Sequence, residues 1–578
     1  MKKTWWIWPI IFLISSCTFP GNSSRAVSPA IHDLQGCSHT SPYVGQTVSH
    51  VTGIVTWKDQ RGFYMQDPSP DDRACTSEGI YVFTDHYPEN IPGDSVAVSG
   101  QVKEFASNNS AKDQLTQTEI TSPSIELLSS GNPLPDPILL GSAGRLPPAQ
   151  IIEDDGFTSF DIDQDGLDFY ESLESMRVEI DQAIVVQPEN SYHEIYVLPG
   201  EMQLLNQFSP QGALLATAAD QNPERIQVIL PDSFKKSVSL GSHFATPLIG
   251  ILSYAYGSYT LIETNQPQLG ETAALSKEKF TADLSSASLL IATYNVENLS
   301  RFDSARLKSL SAQIVTSLAS PDILVLQEIQ DDSGEEDDGT VSASQALQAL
   351  VTQIHKQGGP QYHYVDNLPV NDSSGGVSGG NIRTVFLYRT DRGLSWRNDS
   401  LAVNAENVAA FHNSRPPVLG TFEFMGQHVE VMGVHLVSNL ANSAEFGAIQ
   451  PPSRPEEPKR IAQTQWIAAF AAKLQKDDPA ACILVAGDFN DTPESQALAQ
   501  FASAQWLNLA STVPAESRYS ILYQGSASLF DQMLLNRACA AQTEIQSTVI
   551  HLNTGFPESK QVSDHDPFLL ELTFKESE

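Results

Sequence analysis

Five apolar runs in the C-terminal half end in residues that hold cations or move protons: Thr293-Tyr-Asn-Val-Glu-Asn298, Val325-Leu-Gln-Glu328, Gly433-Val-His-Leu436, Ala486-Gly-Asp-Phe-Asn490 and Ser563-Asp-His-Asp-Pro567. Short aliphatic runs of this kind are buried strands, and polar residues at their ends come together only where the strands share a rim. The chain is therefore constrained to an architecture in which distant strand ends converge.

The intervening segments support that reading. Leu307, Leu310, Ile314 and Leu318 recur at helical spacing, as do Ala343, Leu347, Leu350 and Ile354, and later Ile461, Ile467, Phe470 and Leu474. Strands alternate with helices at first and then dominate, which predicts an α/β fold for residues 289–578, two sheets sandwiched between helices in four layers. Asp488 and Asn490 alternate along the chain and point the same way while Phe489 turns into the core.

With these words in place, residues 288–574 resemble the endonuclease/exonuclease/phosphatase superfamily, and Gly379-Gly-Asn-Ile-Arg383 and Phe446-Gly-Ala-Ile-Gln-Pro-Pro452 resemble its extracellular nuclease branch. The resemblance implies metal ligation by Glu328 with Asn295 and Asp564, and a magnesium or manganese ion as cofactor. It further implies that Asp488 aligns or deprotonates the attacking water and that Asn490 holds a phosphate oxygen. His565 would sit on the scissile phosphate, fixed by Asp531, and His435 would protonate the leaving oxygen. Arg415, Arg383 and Asn381 are the expected phosphate contacts, since a guanidinium fork suits phosphate oxygens. Asp566 receives no role. The acidic residues after Glu328, from Asp331 to Asp338, read as a solvent loop.

The N-terminus places the expected activity outside the cytoplasm. Lys2 and Lys3 precede an apolar stretch, Trp5 to Ile14, too short for a stable membrane anchor, which reads as an export signal. Ser15-Ser-Cys17 resembles the lipobox of bacterial lipoproteins, implying cleavage before Cys17, its acylation and an outer-membrane location, with an ordinary signal peptide as the alternative. The remaining cysteines, Cys37, Cys75, Cys482 and Cys539, form an even set suited to an oxidising compartment. Pairing 37 with 75 and 482 with 539 keeps each bridge within one domain, although four cysteines allow three connectivities.

Residues 18–30 read as a tether, and residues 31–130 as a small β-barrel resembling the OB-like domain that precedes the catalytic domain in many bacterial extracellular nucleases. Trp57, Tyr64 and Tyr81 would serve there either as stacking platforms for single strands or as core. Residues 131–264 form a second β-rich domain, expected as a diverged partner of the first, and residues 265–288 a linker. Asp161-Ile-Asp-Gln-Asp-Gly166 copies the first half of a calcium loop, so calcium near Asp161, Asp163 and Asp165 is weighed against an acidic turn.

A net charge of -36 excludes a broad basic face that would hold nucleic acid tightly. The expectation is a substrate met briefly and cut: DNA, with RNA open, attacked directly by water, the membrane reached only through the lipid anchor and no protein partner. A phospholipid or sphingomyelin phosphodiesterase on the same scaffold is the rival enzyme, and an inert surface-polymer-binding lipoprotein the non-enzymatic reading.

Overall fold

The structure is a computed structural model that describes residues 28–575 apart from 108–112, 205–206, 218, 272–274, 282, 398–407 and 503–504. The expected signal, Cys17 and most of the tether lie outside the described residues. Among those described, no helix is long and apolar enough to cross a membrane.

Strand Thr47–Lys58 pairs antiparallel with both Gly62–Gln66 and Ser95–Phe105, and with Gly79–Phe83 and Gln117–Ser129 it closes a five-stranded barrel. Closure leaves no edge strand to template aggregation. The interior is Val51, Val55, Phe63, Met65, Ile80 and Val98, inward residues of alternating strands. A disulfide between Cys37 and Cys75 ties the segment before the barrel to the loop ahead of its third strand. Gly62 is required by close approach: a Cβ there would lie 2.5 Å from the Tyr81 hydroxyl.

Tyr64 and Tyr81 are not exposed platforms. Both are buried and pack with Trp57 against Ile251 and Ile262 of the next domain, and the Tyr64 hydroxyl donates to Ser253 Oγ at 3.1 Å. Large aromatic rings gain more by burial against Ile251 and Ile262 than by stacking on an anionic strand, so they became the domain interface.

The second β-rich domain is not another barrel. It is one open seven-stranded sheet in the order Ile138–Leu140, Arg177–Ile180, Leu248–Ala255, Ser258–Glu263, Ile226–Ile229, Glu194–Leu198, Ile184–Gln187. Its core includes Leu167, Phe169 and Tyr170 from the short helix Gly166–Glu171. The segment expected as a free linker is docked on both neighbours. Leu269 bridges to Phe244, the Phe280 amide donates to Ser317 O at 2.7 Å, and Glu278 Oε2 accepts the His551 amide at 2.8 Å. Phe280, buried in the core of the first sheet's outer layer, pins an otherwise polar and largely exposed strap.

The C-terminal domain has two six-stranded sheets. One runs Tyr362–Asp366, Arg383–Arg389, Ile323–Ile329, Ser288–Leu299, Phe568–Phe574, Thr543–Val549; the other Ser395–Trp396, Val418–Phe424, Gln427–His435, Cys482–Asp488, Asp531–Asn536, Trp506–Asn508. Their facing surfaces share one apolar core, from Ile291 and Val325 to Val431, Leu484 and Phe568. Helices Ser304–Ala312 and Ser344–Lys356 cover the outer face of the first sheet, and Glu457–Asp477 covers the second, giving four layers. A Cβ on Gly433 would lie 2.9 Å from both Thr384 and Val325, so glycine sets how closely the sheets approach. A disulfide joins Cys482 to Cys539.

The open sheet and the catalytic domain are clamped by Arg225, a fully buried guanidinium. Its Nε donates to Gln524 O at 2.5 Å, Nη1 to Gln221 O at 2.6 Å and Nη2 to Glu445, and the group lies over the Phe446 ring. Arg225→Ala leaves these carbonyls and Glu445 unanswered. We expect it to cost about 3–5 kcal/mol and to expose residues 264–288 to limited proteolysis, which denaturant melts and digestion time courses will read. An unchanged melt would show that the clamp carries no stability.

Candidate active site

Asn295 and Glu328 leave the C-terminal ends of two parallel neighbours in the first sheet, and His435 and Asp488 sit opposite each other in register on parallel neighbours in the second. The four side chains meet where the rims converge. Asn295 Nδ2 donates to Glu328 Oε1 at 2.9 Å and to Asp488 Oδ2 at 3.1 Å, so one amide spans both sheets. His435 Nε2 stands 3.7 Å from Glu328 Oε1 and 3.6 Å from Asp488 Oδ2. Glu328, His435 and Asp488 each present a ligand atom within 4.8 Å of the others.

Local backbone geometry makes this possible. Glu297, Asn298 and Glu328 adopt φ of 49°, 50° and 63°, a left-handed conformation that non-glycine residues enter only when their surroundings impose it. The turn brings the Asn298 amide to Glu328 Oε2 at 2.9 Å. Gly487, at φ 154°, precedes Asp488 because a Cβ there would lie 1.9 Å from Val434 O. Asn490, at φ 51°, returns its amide to Asp488 Oδ1 at 2.7 Å and its Nδ2 to Leu436 O at 3.2 Å.

Asp531, paired in register with Asp488, holds His565, with Oδ2 2.7 Å from Nδ1. The other ring nitrogen stands 3.9 Å from Asp488 Oδ2. Ser563 Oγ donates to Asn295 O at 2.7 Å and accepts the His565 amide at 3.1 Å, fastening the histidine loop to the first sheet. Arg415 is buried beside the cluster, with Nη2 on Leu436 O at 2.5 Å and Nε lacking any partner.

Burial and charge separate the two imidazoles. Burial, reinforced by Arg415 and His565, holds His435 well below the usual histidine range, so it is neutral, and its Nδ1 has no partner. Burial also opposes charge on His565, but Asp531, Asp564 and Asp488 together outweigh it and push the group well above that range. Asp488 is pushed up to about 7, chiefly by burial, with Asp531 and Glu328 adding to it against the opposing pull of His565. A neutral imidazole beside two carboxylates suits cation ligation or proton acceptance. The protonated form needed to protonate a leaving oxygen requires an arriving anion to offset Arg415 and His565.

Some expected residues are elsewhere. Arg383 is paired with Asp366 at 3.3 Å and donates to Val341 O and Asn381 O, so every guanidinium nitrogen is taken by the protein. Asn381 is buried as a loop staple, its Nδ2 donating to Asp331 Oδ2 and Thr340 O, both at 2.9 Å. Neither reaches the site, because desolvated polar groups were satisfied by nearby backbone first. Asp564 is exposed at the rim and is not among the three clustered ligands. Asp331 and Asp332 are buried rather than solvated, and Asp332 Oδ1 caps the Ser344–Lys356 helix through the Gln345 amide at 2.8 Å.

Other functional neighbours were missed by residue reading. Glu297 lies inside the first motif and is pushed up to about 7 by burial and the adjacent Asp564, with Arg306 at 3.8 Å. Asn298 beside it presents a buried Oδ1 with no partner. Both lie in the motif quoted from the sequence, but spacing alone gave them no role. Asp566 organises the loop behind His565, accepting the Leu552 and Asn553 amides and the Thr554 hydroxyl. Ser520 accepts the Asp531 amide from an irregular loop and carries no sequence signal.

Residues 292–565 match the endonuclease/exonuclease/phosphatase family, and the C-terminal domain of this chain belongs to it. That domain is accordingly an enzyme domain of a phosphoester-hydrolysing family. Residues 139–274 match a domain of unknown function (DUF8508). Similar solved structures include a humanized D. rerio TDP2 carrying 14 mutations, at 18% identity over 50% of this chain and 99% of that chain, with a TM-score of 0.34. An endonuclease/exonuclease/phosphatase from Bacteroides vulgatus is 15% identical over 50% of this chain and 99% of that one, with a TM-score of 0.33. The human nocturnin catalytic domain with bound sulfate is 14% identical over 50% of this chain and 95% of that one, with a TM-score of 0.32. No curated protein matches the chain.

Asp531→Asn tests the dyad. The substitution keeps the shape but removes the charge that holds His565 protonated, so kcat should fall about 10²–10⁴-fold with KM little changed. In the same variant the His565 ring resonances should lose their proton at lower pH than in the wild type, where Asp531 is the largest of the charges that hold it. Identical titration in both proteins would remove Asp531 from this role.

Proposed function

We propose that the chain is an exported nuclease that hydrolyses phosphodiester bonds of DNA by direct water attack at a divalent cation, magnesium or manganese. The observation that carries the reading is the meeting of Glu328, Asp488 and neutral His435 from opposite sheets, beside the charged Asp531–His565 dyad. The donor set fits a hard dication: two carboxylates crowd one point, and one of them, Asp488, resists ionising there by itself.

Glu328 and Asp488 would hold the cation, with Asn295 keeping the carboxylates in place and neutral His435 beside them. When bound, such an ion neutralises charge on phosphate and favours a hydroxide-like water at neutral pH. The remaining steps fall to the chain. His565, protonated, donates to a non-bridging phosphate oxygen and stabilises the growing charge, with Asn490 beside it as a second donor. Arg415 supplies a buried positive charge from behind. Asp488, its Oδ1 held by the Asn490 amide, orients or deprotonates the water. The cleaved bond is the P–O bond to the leaving sugar oxygen, which takes its proton from His435 after the entering phosphate has offset Arg415 and His565 and the imidazole has picked up a proton from solvent.

An overall charge of -36 repels DNA at long range, so the site depends on local cations rather than a basic groove. The export reading rests on residues 1–17, with Cys17 as the acylated residue of an outer-membrane lipoprotein. Incorporation of a labelled fatty acid by the wild type and its loss in Cys17→Ser would test it.

Plasmid DNA, RNA and sphingomyelin, each with and without EDTA, separate the readings. Cutting of DNA that stops on chelation is expected. Turnover of sphingomyelin alone would move the enzyme to the lipid rival, and absence of turnover on all three would overturn the catalytic reading. His435→Ala should lower kcat about 10²–10⁴-fold while the protein stays folded by circular dichroism.

The pH dependence has a definite sign. A carboxyl raised to about 7 is protonated below that value and charged above it, and cation ligation needs the charged form. The magnesium concentration giving half-maximal activity should therefore fall as pH rises from about 6 to 8. A half-maximal concentration independent of pH would exclude Asp488 as a ligand.

A further inference from the structure

A second acidic cluster lies in the open-sheet domain, outside the catalytic centre. Glu153, Asp165 and Asp168 are all buried, and each presents an oxygen within 4.8 Å of the others. Glu153 Oε2 and Asp165 Oδ1 are shut off from solvent and have no hydrogen-bond partner. The other oxygen of Glu153 is occupied, accepting the Asp155 amide at 2.9 Å and the Phe157 amide at 3.2 Å. Asp168 Oδ1 lies 2.6 Å from His39 Nε2, and its Oδ2 accepts the Asp161 amide.

This is a costly arrangement for a protein to build for stability alone. A buried carboxylate oxygen left without a donor forfeits its hydration, and like charges at this separation repel. Among the described residues the ion pairs of this cluster come from His39, which answers Asp168 and Glu171 rather than Glu153 or Asp165. The two unpartnered oxygens belong to neighbouring members of the cluster and are held there by backbone: residue 151 bridges to residue 165, and the Gly166 amide donates to Ile151 O at 3.0 Å.

We propose that Glu153, Asp165 and Asp168 form a calcium site. The donors are oxygens only, which suits a hard cation better than the nitrogen- and sulfur-preferring zinc, and they come from an irregular loop and a helix start rather than from a rigid octahedral cage. That favours the larger ion over magnesium, which prefers to keep its waters. The ligand set differs from the alternating triplet that the sequence suggested. Asp161 and Asp163 are exposed, while Asp165 alone turns inward and is completed by Glu153 from upstream and Asp168 from the helix. His39 follows the Cys37–Cys75 bridge and packs edge-on against Phe157 and Phe160, so an ion here would fix the loop of residues 153–165 against the segment leading into the barrel.

The test uses the full chain, stripped with chelator and titrated with calcium chloride or magnesium chloride, followed by calorimetry and thermal melts. Wild-type protein should gain about 3–8 °C in midpoint at millimolar calcium, and less with magnesium. Asp165→Asn and, separately, Glu153→Gln should weaken calcium binding at least ten-fold and lose that gain, while in chelator each melts at or above the wild-type midpoint because one like charge has gone. A merely structural carboxylate would give the opposite sign in chelator. The proposal is overturned if calcium leaves the wild-type midpoint unchanged, if both variants keep the full gain, or if both melt lower than wild type in chelator.

Discussion

Two carboxylates from different sheets, Glu328 and Asp488, are held at one point by a single amide, Asn295, and the rest of the catalytic domain is arranged around that meeting. Like charges in a buried place separate unless something fixes them. Here the fixing is done by the register of two parallel strand pairs, by the left-handed turns at Glu297, Asn298 and Glu328, and by Gly487, the one residue that fits beneath Val434 O. The resulting field explains the chemistry. Burial, with Asp531 and Glu328 adding to it, raises Asp488, and this is the carboxylate pair on which the proposed cation reading rests.

The second consequence is the division of labour between the histidines. Both are buried in the same pocket of charge, yet Asp531 lies 2.7 Å from one while nothing answers Nδ1 of the other. One imidazole is therefore charged and suited to donate to phosphate, and the other is neutral and suited to ligation or proton exchange. The difference comes from Asp531, Asp564 and Asp488 around one ring and from Arg415 and His565 beside the other, and Ser520 and Asp566 keep the loops of the Asp531–His565 dyad in place from behind.

The N-terminal domains are tied into this frame rather than strung ahead of it. Arg225 clamps the open sheet to the catalytic domain, and the strap around Glu278 and Phe280 is shared by both. Tyr519, stacked on His551 at 3.9 Å, gives its hydroxyl to Gln211 of the open sheet, so that domain reaches the layer behind His565. These contacts were not legible in the sequence, because a polar strap and a lone arginine look like linker and surface until a partner surface is supplied. Tyr64 and Tyr81 show the same ambiguity from the apolar side: an aromatic alternation fits a binding face or a domain interface equally well.

Local sequence determined the principal strands and helices and placed Asn295, Glu328, His435, Asp488 and His565 at strand ends, because apolar periodicity and short polar words depend on neighbours in the chain; Asp531 came only from the family resemblance. Only the tertiary structure decided which polar residues reach the site. Arg383 and Asn381 were drawn into loop hydrogen bonds, Asp564 stayed at the rim, and Asp165 joined Glu153 and Asp168 instead of Asp161 and Asp163. The physical reason is the same in each case: a buried polar group takes the nearest partner that the completed fold offers, and that partner is set by strand register and packing across distant segments, not by spacing along the chain.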